Sequence, residues 1–169
     1  MMKKNIILVG LMGAGKSTVG RHLSHRLQME FYDSDAVIVE RTGVSIATIF
    51  EIEGEQGFRD REEQVISELC ADNSNIVLAT GGGSVLNENS RTAIQNAGHV
   101  IYLCTSAEQL YSRIRHNKSR PLMQTDNPLQ TLRNLLRKRE PYYLEVADSV
   151  IKTGQQRINV VINRILRSI

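Results

Sequence analysis

The sequence has few of the residues that build covalently or metal-stabilised folds. It contains no tryptophan, three prolines and two cysteines, and aromatic residues make up 5% of the chain. Cys70 and Cys104 show no CxxC spacing and have no nearby histidine, so they predict two partly buried thiols. No apolar run approaches the roughly 18 residues of a membrane-spanning helix. These absences argue against a disulfide scaffold, a structural zinc domain and a transmembrane protein.

The remaining composition is that of an ordinary globular chain. Its 169 residues are 41% hydrophobic and 23% charged, which suits a single domain over residues 1–169. Only four apolar residues in succession precede Gly10, and no small-residue cleavage site follows, so we expect a cytoplasmic location. The net charge of +3 combines 21 basic with 18 acidic residues. This mild excess allows an anionic ligand, and we expect neither a nucleic acid nor a membrane as partner.

Strand-length apolar runs alternate with helical patterns along the chain. The runs lie at residues 6–9, 31–32, 76–79, 100–103 and 150–151. Helices with one apolar face are predicted between them, including one capped by Ser45 and a separate one over residues 58–70. A late helix is predicted to end at Arg139, because Pro141 ends or kinks it. Five strands that alternate with helices predict an α/β three-layer sandwich, a parallel sheet covered on both faces.

The turn after the first strand carries a phosphate-binding motif. Residues 10–17 read GLMGAGKS, which satisfies G-x-x-x-x-G-K-[ST] between an apolar strand and an amphipathic helix. The glycines let backbone N–H groups point into one cavity, and the helix that begins near Lys16 adds its positive end there. In this motif the lysine reaches the β- and γ-phosphates, and the Ser17 hydroxyl binds Mg²⁺. The pattern predicts a site for a nucleoside triphosphate.

Two further patterns follow later strands, where ligands bind in open α/β sheets. Asp33-Ser34-Asp35 follows the second strand, so one carboxylate could orient a Mg²⁺-bound water and the other an acceptor hydroxyl. Alternatively, Asp35 is only the N-cap of the next helix. Residues 81–83 are three successive glycines after the third strand, which suit a close backbone approach to a ligand or else a flexible turn.

Three arginines are candidates for holding an anion. Arg59 begins a predicted helix one turn before Glu62, Arg120 lies in a basic and polar stretch, and Arg139 ends the late helix. The planar guanidinium matches a carboxylate or a phosphate with two parallel hydrogen bonds. Taken singly, each of the three is more typical of a solvated surface charge.

A short chain with a phosphate loop and a basic loop is typical of a small-molecule kinase. It lacks the extra elements of a motor, helicase or transporter ATPase, and it has no Asn-Lys-x-Asp run to read guanine. Three alternatives stay open: another small kinase, acting on gluconate or a nucleoside monophosphate; a nucleotide-switched binding module without chemistry; and, more remotely, a nucleic-acid reader.

Six motifs in one order resemble the shikimate kinase family along essentially the whole chain. They are GLMGAGKST, FYDSD, GEQGFRDREE, ATGGGSV, SRPLM and KREPYY. The resemblance implies a fold like that of nucleoside monophosphate kinases, with strand order 2-3-1-4-5, a substrate-binding region at about residues 33–62 and a lid at about residues 112–126. It implies ATP-dependent phosphorylation of shikimate at its 3-hydroxyl with Mg²⁺ as cofactor, and we expect a monomer.

The same resemblance implies a role for each matching residue. The residues predicted to be catalytic are Lys16, Asp35 as candidate base, and Arg120 on the lid. Those predicted to hold ATP are Gly13, Ala14, Gly15, Lys16, Ser17, Thr18, Arg113, Arg120 and Gln156, with Arg113 and Gln156 by the adenine. Those predicted to bind shikimate are Asp35, Phe50, Phe58, Arg59, Gly81, Gly82, Gly83 and Arg139, with the two arginines on its carboxylate and Glu62 orienting Arg59. The metal is predicted to bind Ser17 directly and Asp33 through water.

Overall fold

A computed structural model describes residues 5–117 and 123–169 and contains one parallel sheet of five strands. The strands are β1 Asn5–Val9, β2 Glu30–Asp33, β3 Ile76–Ala79, β4 Gly98–Cys104 and β5 Ser149–Lys152. Their order across the sheet is β2-β3-β1-β4-β5, which confirms the expected topology. The inner strands β1 and β3 are buried along their whole length, whereas the edge strands are partly exposed. The continuous apolar runs of the inner strands reflect helices on both faces of the sheet.

Seven α-helices cover the sheet in the described ranges. They are α1 Lys16–Leu27, α2 Ser34–Thr42, α3 Ile46–Asp72, α4 Glu88–Ala97, α5 Ala107–Ile114, α6 Pro128–Val146 and α7 Ile158–Leu166. The first helix packs against the last, while α4 packs against both α3 and α6. Among the helices described, none is both long and apolar enough to cross a membrane.

Two helix boundaries differ from the prediction. Ser45 caps α3 as expected and accepts a hydrogen bond from the Thr48 N–H at 3.1 Å, but α3 then runs on to Asp72 with a single break at Gly54. The predicted division into two helices is therefore present, but it lies at Gly54, with φ of +73°, so the second segment starts before Phe58 and Arg59 lies in its second turn.

The late helix also continues further than predicted. Helix α6 runs through Pro141 to Val146, so Arg139 lies inside it. Proline removes only one hydrogen bond, to the carbonyl of the exposed Arg137, where water can replace it. Burial of Tyr143 and Val146 keeps the last turn helical, since packing outweighs a local propensity.

The topology brings three loops to one edge of the sheet. The phosphate loop follows β1, the acidic segment follows β2, and the glycine triplet follows β3. These strands are neighbours and run parallel, because β1 and β2 each pair with β3. Their carboxyl ends therefore place the three loops side by side, which is where open α/β sheets bind ligands.

Candidate active site

The phosphate loop wraps around the amino end of α1. Gly13 and Gly15 have φ values of +83° and +96°, a left-handed conformation that side chains other than glycine rarely adopt. The Lys16 ammonium donates to the carbonyls of Gly10 at 2.6 Å and Leu11 at 3.0 Å. Gly13, Gly15, Lys16, Ser17 and Thr18 line a cavity of 430 Å³, and Ala14 is buried behind them. This arrangement presents backbone N–H groups and one ammonium to an anion.

Asp33 joins the phosphate loop to the acidic segment. One of its oxygens accepts a hydrogen bond from the Ser17 hydroxyl, and the other accepts from the N–H groups of Asp35 at 3.0 Å and Ala36 at 3.2 Å. Asp33 is therefore the N-cap of α2, and the alternative that Asp35 caps this helix is wrong. With its N–H satisfied by Asp33, Asp35 lies in the first turn and lines the cavity.

Ser17 and Asp33 form a donor pair suited to a hard cation. Both offer oxygen atoms, and they are already in contact. Within the ranges the structure describes, no group of three or more His, Cys, Asp or Glu side chains could hold a metal ion. This set fits Mg²⁺, which takes one or two protein oxygens and keeps waters and phosphate oxygens as its other ligands.

A second cavity of 420 Å³ adjoins the first. Five residues line both cavities: Met12, Asp35, Gly81, Gly82 and Asn117. The second cavity is also lined by the predicted acceptor residues Phe50, Phe58, Arg59 and Arg139. The rings of Phe50 and Phe58 lie 5.0 Å apart and make one apolar wall. Asp35 thus stands between a phosphate-binding space and a space with an apolar wall and two cations.

The glycine triplet leaves room for the charged side chains of the site. A Cβ on Gly83 would lie closer than 3.0 Å to the Arg59 guanidinium, and one on Gly81 would clash with Glu62 and Asp35. On Gly82 a Cβ would lie 3.3 Å from the Met12 nitrogen and 3.6 Å from Nη1 of Arg139. The structure thus gives the triplet a steric reason: these positions lack side chains because site groups occupy that space.

Two arginines that are distant in the chain meet at this triplet. Arg59 from α3 donates to Glu62 at 2.8 Å, and Arg139 from α6 is only 2% exposed. Glu62 is also 2% exposed, and burial raises its pKa although Arg59 opposes the shift. Burial lowers the pKa of Arg139, and the neighbouring Arg59 charge acts in the same direction.

Not every polar atom at this triplet has a partner. The Nε atoms of Arg59 and Arg139 are buried and have no hydrogen-bond partner among the described residues. Arg59 forms ion pairs with Glu62, at 2.8 Å, and with the exposed Glu55, at 3.3 Å, whereas the described residues include no ion pair for Arg139. Such a site favours an anion with two oxygen acceptors.

Two of the remaining residues predicted to bind ATP, Arg113 and Gln156, lie beside the phosphate loop. Arg113 donates to the carbonyls of Gly13, at 2.9 Å, and Gly154, so it is attached to the phosphate loop. Gln156 accepts a hydrogen bond from Arg164 at 2.6 Å. Arg113 and Gln156 line one further cavity of 240 Å³ beside α1. Arg120 lies outside the described residues, as does the central part of the predicted lid.

Sequence reasoning missed two buried side chains next to the site. Tyr143 donates a hydrogen bond to the Gly82 carbonyl, and the Ser34 hydroxyl accepts one from the Gly81 N–H at 3.0 Å. Tyr143 stands four residues after Arg139, so helical spacing could have placed both on one face. Ser34 lies between the two aspartates and offered no signal beyond that position.

We expect Gly83→Ala to weaken binding of the acceptor without unfolding the protein. Gly83 has φ of −97°, which alanine also adopts, so the cost arises from displacement of Arg59 alone. The KM for the acceptor should rise about tenfold, the loss of one charge-assisted hydrogen bond. Steady-state kinetics and thermal melting measure both effects. An unchanged acceptor KM in a folded variant would remove Arg59 from the binding site.

The fold and the site together define a class of enzyme. A strand, a GxxxxGKS loop and a helix lie beside a carboxylate and a pair of arginines, as expected of a phosphate-loop kinase for a small anionic alcohol.

Comparison with known proteins gives the family. The shikimate kinase family model matches residues 12–169. A shikimate kinase of Nitrosococcus oceani is 53% identical over 169 residues, covering 100% of this chain and 88% of the relative. One from Vibrio campbellii is 52% identical over 165 residues, covering 98% of this chain and 95% of the relative. The chain belongs to the shikimate kinase family, and it is an enzyme that transfers phosphate to shikimate.

Solved structures agree with this assignment. A shikimate kinase from Acinetobacter baumannii, in complex with shikimate, shares 48% identity at a TM-score of 0.94, with 97% of this chain and 91% of that chain covered. A gluconokinase from Sinorhizobium meliloti has a TM-score of 0.63 at 17% identity, with 99% of this chain and 91% of that chain covered. This last likeness shows the fold alone.

Proposed function

We propose that this enzyme transfers the γ-phosphoryl group of ATP to the 3-hydroxyl of shikimate across the boundary between the two cavities. The observation that supports this most directly is the meeting of Arg59 and Arg139 at the glycine triplet, with Asp35 lining both cavities. Shikimate carries one carboxylate and three hydroxyls. The arginine pair suits the carboxylate, Phe50 and Phe58 suit the ring, and Asp35 suits a hydroxyl.

On the acceptor side, the residues of the site hold the substrate in a fixed position. A carboxylate held by both guanidinium groups fixes one end of the substrate, and the aromatic wall limits its tilt. Its hydroxyl then lies beside Asp35 and faces the phosphate loop. Phosphoryl transfer passes through a loose transition state, so Asp35 orients this hydroxyl and accepts its proton late in the transfer.

On the nucleotide side, the residues of the site stabilise the negative charge of the phosphates. Backbone N–H groups of residues 13–18 hold the β- and γ-phosphates, and Lys16 turns from the carbonyls of Gly10 and Leu11 to these oxygens. Ser17 and Asp33 would hold Mg²⁺, the latter through water. When bound, the metal neutralises charge on the phosphate oxygens. Arg113 and Gln156 would border the adenine, since they line a cavity that also includes Gly15 and Thr18.

Several finer points stay predictions. Arg120 is expected to approach the transferring phosphate when a lid at about residues 112–126 closes, which would exclude competing water. We place the substrate-binding region at about residues 33–62 within a single domain. We also propose a cytoplasmic monomer without a nucleic-acid or membrane partner, and sedimentation of the purified chain tests its oligomeric state.

The function is tested by acceptor-dependent formation of ADP. We expect shikimate to give a rate at least about a hundredfold above that with gluconate or a nucleoside monophosphate, because those acceptors leave the arginine pair or Asp35 poorly matched. Phosphorus NMR of the product should place the phosphate on O3. A rate with shikimate no higher than the acceptor-free background would reject the proposal, and nucleotide binding without turnover would favour a switched binding module.

A further inference from the structure

Tyr143 is a buried residue of α6 that lies next to the acceptor cavity and contacts the glycine triplet. It is 0% exposed and lies on α6, one helical turn after Arg139. Its hydroxyl donates to the carbonyl of Gly82, and the nearby charge of Arg139 opposes the rise in the pKa of the phenol. Its ring stacks on that of Tyr102, with centroids 5.0 Å apart. The phenol therefore does not line the cavity, yet it holds the carbonyl of a residue that does.

Gly82 lies between the phosphate loop and Arg139. A Cβ there would lie 3.3 Å from the Met12 nitrogen, 3.5 Å from the Gly10 oxygen and 3.6 Å from Nη1 of Arg139. A rotation of the peptide after Gly82 would move its carbonyl and, with it, the spacing between acceptor and phosphate. The orientation of this peptide thus affects both cavities.

Hydroxyl groups also hold the two peptides that precede this one. The Gly81 N–H donates to Ser34, and the Gly81 carbonyl accepts from the Ser84 hydroxyl at 2.7 Å. Tyr143 holds the next carbonyl along the chain, that of Gly82, and it lies one helical turn after Arg139, a predicted substrate ligand. Burial raises the pKa of Tyr143, so the phenol stays protonated and can donate at neutral pH.

We propose that Tyr143 is a positioning residue for phosphoryl transfer: its hydroxyl holds the Gly82 carbonyl in place beside the Arg139 guanidinium, which keeps the bound carboxylate at the correct distance from the phosphate loop. This inference rests on the proposed function of the site. It adds a residue that touches neither substrate and acts through Gly82, which lines both cavities.

The first test is Tyr143→Phe, which removes one oxygen atom and retains the stacked ring. We expect kcat/KM for shikimate to fall about tenfold to a hundredfold, because a displacement of about 1 Å in a reacting geometry costs up to about a hundredfold. The KM for ATP should change less than the KM for shikimate, since Tyr143 lines neither cavity and the neighbouring Arg139 lines only the acceptor cavity. Wild-type kinetics in this variant would overturn the inference while leaving the enzyme's activity toward shikimate intact.

The matched control is Tyr102→Phe. Tyr102 is 1% exposed and stacks on Tyr143, but its hydroxyl donates to Glu140 at 3.0 Å rather than to a residue of the site. We expect this variant to keep kcat/KM for shikimate within about threefold. Equal losses of activity and of melting temperature in both variants would show that Tyr143 acts only through stability and would contradict positioning.

Two further measurements keep the proposal testable if the phenylalanine variant folds poorly. Tyr143→4-aminophenylalanine restores an N–H donor at the same place, and we expect it to recover kcat/KM to within about fivefold. A folded but equally impaired chain would contradict the role of a donor at this position. In the double variant Tyr143→Phe, Arg139→Lys, kcat/KM should fall by less than the product of the two single losses. Both changes disturb the same part of the site, where Gly82 lies beside Arg139. Fully multiplicative losses would overturn the coupling.

Discussion

Asp35→Asn is expected to abolish most turnover while nucleotide binding survives. The amide has the same shape as the carboxylate but cannot accept a proton and loses its charge, so kcat should fall by about 10²–10⁴. Asp35 lines the cavities without belonging to the phosphate loop, and Asp33 still caps the helix. The affinity for ADP, measured by isothermal titration, should therefore change by less than about twofold.

A second carboxylate serves as the control for this variant. Asp60 lies on the exposed side of α3, accepts a hydrogen bond from Gln56 at 2.8 Å and lines neither cavity. Asp60→Asn should keep the full rate. Near-normal turnover of Asp35→Asn would remove Asp35 from the site, and a matching loss of ADP affinity would assign it to the nucleotide instead.

Arg139→Lys is expected to raise the KM for shikimate by about tenfold to a hundredfold. The ammonium replaces a planar fork by a point charge, so one of two parallel hydrogen bonds to the carboxylate is lost, at a cost of about 1.5–3 kcal/mol. The KM for ATP should stay unchanged, because the guanidinium lies on the acceptor side of Gly82. Steady-state kinetics with each substrate varied in turn separates the two constants.

Arg137→Lys makes the same chemical change two residues away. Arg137 is exposed on α6 and lines neither large cavity, so we expect no effect on either constant. An unchanged KM for shikimate in Arg139→Lys, together with a raised KM for ATP, would contradict the assignment of this arginine to the carboxylate.

The unpartnered Nε atoms of the two arginines explain why the acceptor site should discriminate strongly. Arg139 and Glu62 are buried, Arg59 is 14% exposed, and the buried Nε atoms of both arginines have no hydrogen-bond partner among the described residues. A neutral polyol of the same size leaves these N–H groups without a charged acceptor. The affinity for the acceptor therefore depends on its carboxylate more than on its ring.

Local sequence patterns predicted the strands and the phosphate loop correctly. Each of the predicted strands lies within an observed one, because buried parallel strands need unbroken apolar runs. The phosphate loop followed from its spacing, since the backbone conformation at Gly13 and Gly15 demands glycine. The prediction failed at Pro141, where the packing of the residues that follow it overrules a local breaker residue. Gly54, with φ of +73°, does break α3.

The amino-acid sequence by itself determined the strands, the phosphate loop and, through its six ordered motifs, the family. Only the tertiary structure decided that Asp33 rather than Asp35 caps its helix, that Gly81 and Gly83 make space for charged side chains, and that the Tyr143 hydroxyl donates to the Gly82 carbonyl. The physical reason is distance along the chain. A strand or a loop is encoded by neighbouring residues, whereas contacts between α3, α6 and the triplet arise only when the sheet brings remote segments together.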